Sequence, residues 1–116
     1  MKAVKSSSET YVLTGLTLHA CERAKQRLQW GKATLQRMAD KAFMEGLCRQ
    51  QATGRLKKYL DKLWSEHQST NNMRIYGQHL FLFTGQTLIT VWQVPGEFRK
   101  VSDKLVLRHR KTLLAA

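Results

Sequence analysis

The stretch MRIYGQHLFLFTGQTLITVWQV (residues 73–94) decides the fold, because here the hydrophobic pattern changes from a helical period to a strand-like one. Three strands rich in β-branched and aromatic residues are predicted within it, at residues 73–76, 79–83 and 87–94. The residues between them, Gly77-Gln78 and Thr84-Gly85-Gln86, are typical of tight turns. The stretch therefore predicts an antiparallel β-meander, which is too small to stand alone and must pack against helices.

Apolar residues before the meander recur at the i, i+3, i+4, i+7 spacing of amphipathic helices. Three helices are predicted, at about residues 18–29, 32–45 and 54–67. Thr17 is a candidate N-cap of the first helix, and Gly46 is a stop signal after the second. Helices followed by strands predict an α+β fold, with the N-terminal helices packed on one face of a C-terminal antiparallel β-meander. The other face would then be open to a ligand.

The chain length of 116 residues predicts a single domain. We expect a polar N-terminal lead-in over residues 1–16, with a short extended piece at Tyr11–Leu13. The α+β domain follows over residues 17–96. Residues 97–116 are basic and also contain leucines and valines, so this segment is either a last helix or a mobile basic arm.

The charge is strongly positive, with 20 Lys and Arg against 8 Asp and Glu and a formal net charge of +12. An excess of this size raises the local concentration of anions and speeds encounter with polyanions. Because a basic domain of this kind is typical of nucleic-acid binding, RNA is the expected partner.

Metal, cofactor and membrane functions find little support in the sequence. Cys21 and Cys48 are not spaced as zinc ligands, and the few acids form no magnesium cluster. We therefore expect buried free thiols in a reducing compartment, with no metal and no cofactor. The N-terminus has no apolar signal segment, and no run approaches the ~20 apolar residues of a membrane span. A cytoplasmic protein without a membrane partner is expected.

The first predicted helix carries the most distinctive polar residues. His19, Arg23 and Arg27 lie at i, i+4 and i+8, so they line one helix face. An imidazole can move a proton near neutral pH, and a guanidinium can hold a phosphate at two points. These residue types suit phosphate chemistry, although a solvated basic helix face would have the same spacing.

The third predicted strand offers a second group of candidates. Strand alternation predicts that Leu88, Thr90, Trp92 and Val94 share one face. On an open face, the Thr90 hydroxyl could bond a phosphate oxygen and Trp92 could stack on a base, whereas on a covered face both would pack in the core. Further nucleic-acid contacts are expected from Arg74, Tyr76, Arg99 and Lys100.

The helix with HACER at residues 19–23, the helices after it and the meander ending in LITVWQVP resemble the barnase/EndoU/colicin/RelE superfamily of small metal-independent RNases. The resemblance covers roughly residues 17–96. It implies catalytic roles for His19, Arg23 and Thr90, and Thr90 with Trp92 is similar to the Ser-x-Trp of colicin-type tRNases. It also implies a sheet of four or more strands, the extra strand coming from residues 11–13 or the tail. Many members are toxins, which implies an acidic antitoxin or immunity protein as a partner.

Three hypotheses about function follow. The first is a toxin-like, metal-independent endoribonuclease that cleaves RNA by attack of the 2′-OH on the adjacent phosphate, with Arg23 and Arg27 holding the phosphate. The second is a non-catalytic nucleic-acid-binding protein, or a phage-type inhibitor of a nucleoprotein complex, which needs no particular histidine. The third is an adaptor for an acidic protein partner. Cleavage of RNA would distinguish the endoribonuclease from the non-catalytic nucleic-acid-binding protein. A stable complex with an acidic protein in the absence of nucleic acid would distinguish the adaptor from both.

Overall fold

The computed structural model describes residues 13–67 and 70–115. Tyr11 and Val12 of the predicted extended piece lie outside the described residues, and Leu13 is an exposed residue outside the sheet. The helices and strands are β1 (Gly15–Leu16), α1 (Leu18–Leu28), α2 (Lys32–Glu45), β2 (Leu47–Cys48), α3 (Gly54–Glu66), β3 (Asn72–Tyr76), β4 (His79–Thr84), β5 (Thr87–Gln93) and α4 (Arg99–Ala115). Short 3₁₀ turns precede α3 and α4, at Arg49–Gln51 and Gly96–Phe98.

The sheet contains the predicted meander at its centre, with the strand order β1-β5-β4-β3-β2. β1 pairs with β5 in parallel, and the other neighbours are antiparallel. The α+β fold class is therefore confirmed. Among the described residues, the two added strands are the two-residue segments at Gly15–Leu16 and Leu47–Cys48. The prediction that the tail supplies an extra strand is wrong, because the tail is helical.

The helix boundaries at Thr17 and Gly46 are confirmed, although Gly46 is the C-cap of α2 with an extended backbone rather than a left-handed residue after the helix. The Thr17 hydroxyl caps α1 by accepting a hydrogen bond from the Ala20 backbone N–H at 3.0 Å, and it donates to the Leu88 carbonyl at 3.1 Å. One side chain therefore begins α1 and also ties it to β5. Gly46 follows α2, and its N–H donates to the Ala42 carbonyl at 2.9 Å.

Both faces of the sheet are covered by helices, so the prediction of one open face is wrong. On one face α1 and α2 enclose a core of Ala20, Ala24, Leu35, Ala39, Ala42, Phe81, Phe83, Leu88 and Val91. On the other, α3 and α4 help to enclose a core that includes Leu56, Leu60, Met73, Ile75, Leu80, Leu82, Val94 and Phe98. The reason lies in β4, whose consecutive residues 80–83 are all buried and apolar, which is a pattern that needs cover on both sides.

A β-bulge changes the predicted face of one residue. Leu82 pairs with Thr90, but Phe83 pairs with Leu88, so Ile89 is the extra residue in β5. Leu88 therefore turns to the α1–α2 face with Phe83, whereas Thr90 and the residues after it keep the predicted alternation. The prediction that Leu88 and Thr90 share a face is wrong for this reason.

The last segment takes the helical alternative, as α4. Phe98, Leu105 and Val106 pack against the core on the α3 side of the sheet. The same helix leaves Leu107, Leu113 and most of its cations exposed. Cys21 and Cys48 are free but half-buried rather than buried. None of the helices in the described part of the chain is long and apolar enough to cross a membrane.

Candidate nucleic-acid interface

The edge of β5 is the place where three of the predicted site residues, Arg27, Thr90 and Trp92, come together. β1 pairs with β5 only at Thr87 and Leu88, so the rest of β5 forms an edge of the sheet. Alanines at positions 20 and 24 are fully buried, and their small side chains allow α1 to lie close to β5. This close packing brings the last turn of α1, with Arg27, to the strand edge.

The Arg27 side chain reaches across this edge and contacts three consecutive residues. Its Nη1 donates to the Thr90 Oγ1 at 3.3 Å and to the Val91 carbonyl oxygen at 3.1 Å. Its Cζ lies 5.5 Å from the centre of the Trp92 ring. Because a strand edge presents unpaired carbonyls, the guanidinium also covers a backbone group that would otherwise be open to pairing with another chain.

Thr90 serves this arrangement as a hydrogen-bond acceptor for Arg27. The residue is only 6% exposed, on the α3 side of the sheet opposite Leu82. The open face on which Thr90 would bind a phosphate directly is absent, since helices cover both sides. Within the described residues, its hydroxyl positions the Arg27 guanidinium.

Trp92 is half-buried and held from two further directions. Its Nε1 donates to the Tyr59 hydroxyl at 3.4 Å, and the His67 ring lies 5.8 Å from the Trp92 ring between centres. Arg27 lies over the same indole, so the guanidinium limits access to that side of Trp92. We name Arg27, Tyr59, His67, Thr90 and Trp92 the Arg27 site.

Tyr59 and His67 are members of the site that the sequence did not predict. Tyr59 lies on the apolar stripe of α3, where a tyrosine looks like any other core residue. His67 follows α3 and has no partner at a recognisable spacing in the sequence. The available signal was the Tyr59 hydroxyl, since a phenol on a core-facing stripe needs a hydrogen-bond partner.

His19 and Arg23 occupy the earlier turns of the same helix. His19 is exposed and has no hydrogen bond or ion pair within the described residues. Arg23 donates from Nη1 to the Gln26 Oε1 at 3.0 Å, and its Nε is buried without a hydrogen-bond partner in that same part of the chain. Because a helix rises about 1.5 Å per residue, His19 lies roughly 12 Å along the axis from Arg27. The structure thus brings Arg27, and not His19, to Thr90.

Arg74 and Tyr76 lie on β3, two strands away from β5. Arg74 donates to the Asn72 Oδ1 at 2.9 Å and to the Gly46 carbonyl at 3.3 Å, so its guanidinium supports the start of β2. Tyr76 is half-buried against the α1–α2 core. Both residues have packing roles in this position, and neither contributes to the Arg27 site.

Arg99 and Lys100 begin α4 beyond the far end of β5. Arg99 donates to the Val94 carbonyl at 3.2 Å and to the Gln93 Oε1 at 3.3 Å, which fixes the start of α4. Lys100 is exposed. Arg99 and Lys100 therefore add positive charge at the start of α4, but they are not part of the Arg27 site.

Within residues 13–67 and 70–115, no group of three or more His, Cys, Asp or Glu side chains is arranged to hold a metal ion. Comparison with protein-family models, with curated proteins and with solved structures finds no match to this chain. The fold and the site are those of a small basic α+β protein with a cationic and aromatic cluster at a sheet edge.

Proposed function

We propose that the protein binds RNA and that the Arg27 site is its principal contact with the RNA. The observation that carries this proposal is the position of Arg27, which is exposed yet fixed by Thr90, Val91 and Trp92. Only Nη1 is used in these bonds, and a guanidinium has five N–H donors. The Nε and Nη2 donors therefore remain for a phosphate, in a side chain whose conformational freedom is already restricted.

Charge and chemistry support RNA as the ligand. The net charge of +12 favours encounter with a polyanion, and a fixed guanidinium offers both a planar phosphate contact and a stacking surface for a base. Tyr59 and His67 add aromatic rings beside it. A purely electrostatic binder would not need these rings.

Metal-independent cleavage of RNA is a second candidate function, with His19 as the general base and Arg23 holding the scissile phosphate. It is favoured by the position of Arg23, one turn from the exposed His19, because its Nη2 makes no hydrogen bond within the described part of the chain. A guanidinium N–H in this state can donate a charge-assisted hydrogen bond to a phosphate. In this mechanism Thr90 acts through Arg27 as a positioning residue.

Incubation of single-stranded RNA with the purified protein in excess EDTA tests both functions. We expect the wild-type protein to retard RNA on a gel and Arg27→Ala to weaken binding at least about tenfold, since a charge-assisted contact is worth roughly 1.5–3 kcal/mol. Lys25→Ala, which removes another exposed cation from α1, is the matched control and should change binding less than about threefold. Equal loss in both variants would mean a general charge effect and would contradict the Arg27 site as the principal contact. Unretarded RNA would contradict RNA binding itself and would favour an acidic protein partner.

The same incubation decides between the catalytic and the non-catalytic alternative. Products that form with the wild-type protein but not with His19→Ala would establish metal-independent cleavage. RNA that stays intact while both proteins retard it would leave a binding protein, such as an inhibitor of a nucleoprotein complex.

A further inference from the structure

A second cationic surface lies on α3, separate from the residues described so far. Arg55, Lys58 and Lys62 occupy positions i, i+3 and i+7, so they form one line along the helix, and all three are exposed. Together with the segment that contains Pro95 and Phe98, they border a cavity of about 370 Å³. We name this cavity the α3 groove.

The groove has an aromatic floor between its cations. The Tyr59 and Phe98 rings lie 5.0 Å apart between centres, with 31° between their planes. The Arg55 Cζ lies 5.9 Å from the centre of the Phe98 ring. Phe98 is only 8% exposed, so the half-buried Tyr59 ring is the surface on which a base would stack. A ring with cations around it suits a nucleotide, whose base is flat and apolar on its faces and whose phosphate is an anion.

Among the residues that the structure describes, Glu97 is the one acid that lines the groove, and it does not neutralise the surface. Its Oε1 lies 3.4 Å from the Arg55 Nη2, and the two side chains are 55% and 82% exposed. An exposed pair at this distance is weak, so a phosphate can compete with Glu97 for Arg55. Lys58 and Lys62 have no ion pair within the described residues, which leaves an excess of positive charge.

Tyr59 joins the α3 groove to the Arg27 site. Its ring lies on the groove floor beside Phe98, while its hydroxyl accepts the hydrogen bond from the Trp92 Nε1 at 3.4 Å. Trp92 in turn lies under the Arg27 guanidinium. The two cationic surfaces are therefore the ends of one continuous strip with aromatic side chains between them.

We propose that the α3 groove is a second nucleotide-binding subsite, so that a single strand of RNA runs from the Arg27 site across Tyr59 into the groove. This inference rests on the proposed function and adds that the RNA bound is single-stranded. A single strand is favoured because stacking on side chains needs bases that are neither paired nor stacked on each other. A duplex would place its bases away from the aromatic floor.

Fluorescence anisotropy with RNA oligonucleotides of about four and about twelve nucleotides tests the proposal, because single-strand sites of small domains fall in this range. The test protein is the triple variant Arg55→Ala, Lys58→Ala, Lys62→Ala. The matched control removes three exposed cations from α4, in Lys104→Ala, Arg108→Ala, Lys111→Ala. Circular dichroism checks that each variant is folded, which we expect because every substituted residue is exposed.

We expect the α3 variant to lose at least about tenfold in affinity for the long oligonucleotide and less than about twofold for the short one. The slope of the logarithm of its binding constant against the logarithm of the salt concentration should become less steep by about 2. Each lost phosphate contact with a single strand reduces this slope by about 0.7, and three contacts are removed. The α4 variant should lose less than about threefold on the long oligonucleotide. A duplex of the long sequence should bind the wild-type protein at least about tenfold more weakly than the single strand.

Two results would overturn this inference and leave the proposed function intact, provided that Arg27→Ala still weakens RNA binding. The first is equal loss in the α3 and α4 variants, which would mean a general charge effect. The second is duplex RNA that binds as tightly as the single strand. If the wild-type protein binds no RNA, both the inference and the proposed function fail.

Discussion

Arg27 is expected to stabilise the fold as well as to bind RNA, and replacing it with alanine measures the first role. The substitution removes two hydrogen bonds from Nη1, to Thr90 and to the carbonyl of Val91, and the contact with the Trp92 ring. It also exposes the carbonyl of Val91 at the sheet edge, where water can replace the lost donor. The Thr90 hydroxyl is nearly buried, so it has less access to water.

The magnitude follows from these contacts. The two hydrogen bonds are worth about 0.5–1.5 kcal/mol each, and we take the lower part of this range for Val91 because it can be rehydrated. A cation–π contact at an exposed site adds about 0.5–1 kcal/mol. We therefore expect Arg27→Ala to lower the free energy of unfolding by about 2 kcal/mol, which for a domain of this size lowers Tm by roughly 8 °C.

Urea denaturation followed by circular dichroism measures this difference, with Lys25→Ala as the control on the same helix. The control should change stability by less than about 0.5 kcal/mol, as is usual for an exposed residue without specific contacts. A double-mutant cycle with Thr90→Val should give a coupling energy of about 1 kcal/mol between Arg27 and Thr90. If Arg27→Ala is as stable as the wild-type protein, or if the coupling is zero, the Arg27 guanidinium is not fixed at the β5 edge.

Three further predictions concern the scaffold. Asp40→Ala should lower the free energy of unfolding, measured by urea denaturation, by about 2–3 kcal/mol. The Asp40 carboxylate is buried and accepts hydrogen bonds from the Thr14 N–H at 2.7 Å and from the Thr14 hydroxyl at 2.9 Å, and both donors would lose this partner. Gly46→Ala should lower the free energy of unfolding by about 1–3 kcal/mol, because a Cβ there would lie 2.9 Å from a side-chain carbon of β3. A Cβ at Gly96 meets open space, so melting curves should show a smaller loss of stability in Gly96→Ala. Burial lowers the pKa of His79, and repulsion from a nearby arginine adds to this despite a backbone hydrogen bond that opposes it. Stability should therefore be greatest above the unfolded-state pKa of about 6.5 and fall as the pH drops below it, and unfolding measured across pH should show a flatter profile in His79→Gln.

The elements of this fold could be predicted because they have local signals, and the features that were missed have none. Three helices and three strands follow from the two hydrophobic periods, and Thr17 and Gly46 mark the ends of helices. β1 and β2 are only two residues long, so no periodicity can reveal them. The bulge at Ile89 is also invisible, because it depends on the pairing of β5 with β4.

The composition of the Arg27 site was predictable only in part for a similar reason. The sequence indicated Arg27 as a phosphate ligand and Thr90 with Trp92 as its companions, from residue type alone. The contact between Arg27 and Thr90 joins residues 63 positions apart and depends on how closely α1 packs on β5. His19 was predicted from the same helix face, yet the distance along the axis separates it from the contact between Arg27 and Thr90.

The burial of both sheet faces explains why the site lies where it does. In β4, apolar residues occupy both alternating positions from Leu80 to Phe83, and this run already favours a sheet covered on each side. Once α1 with α2 and α3 with α4 cover those faces, polar ligands can reach the sheet only at its edges. The edge beyond Leu88 is the part of β5 that β1 leaves unpaired, and it lies between α1 and α3. Arg27 of α1 therefore meets Trp92 of β5 at this edge, with Tyr59 of α3 bonded to the same indole, so a ligand bound there would contact both layers of helices at once.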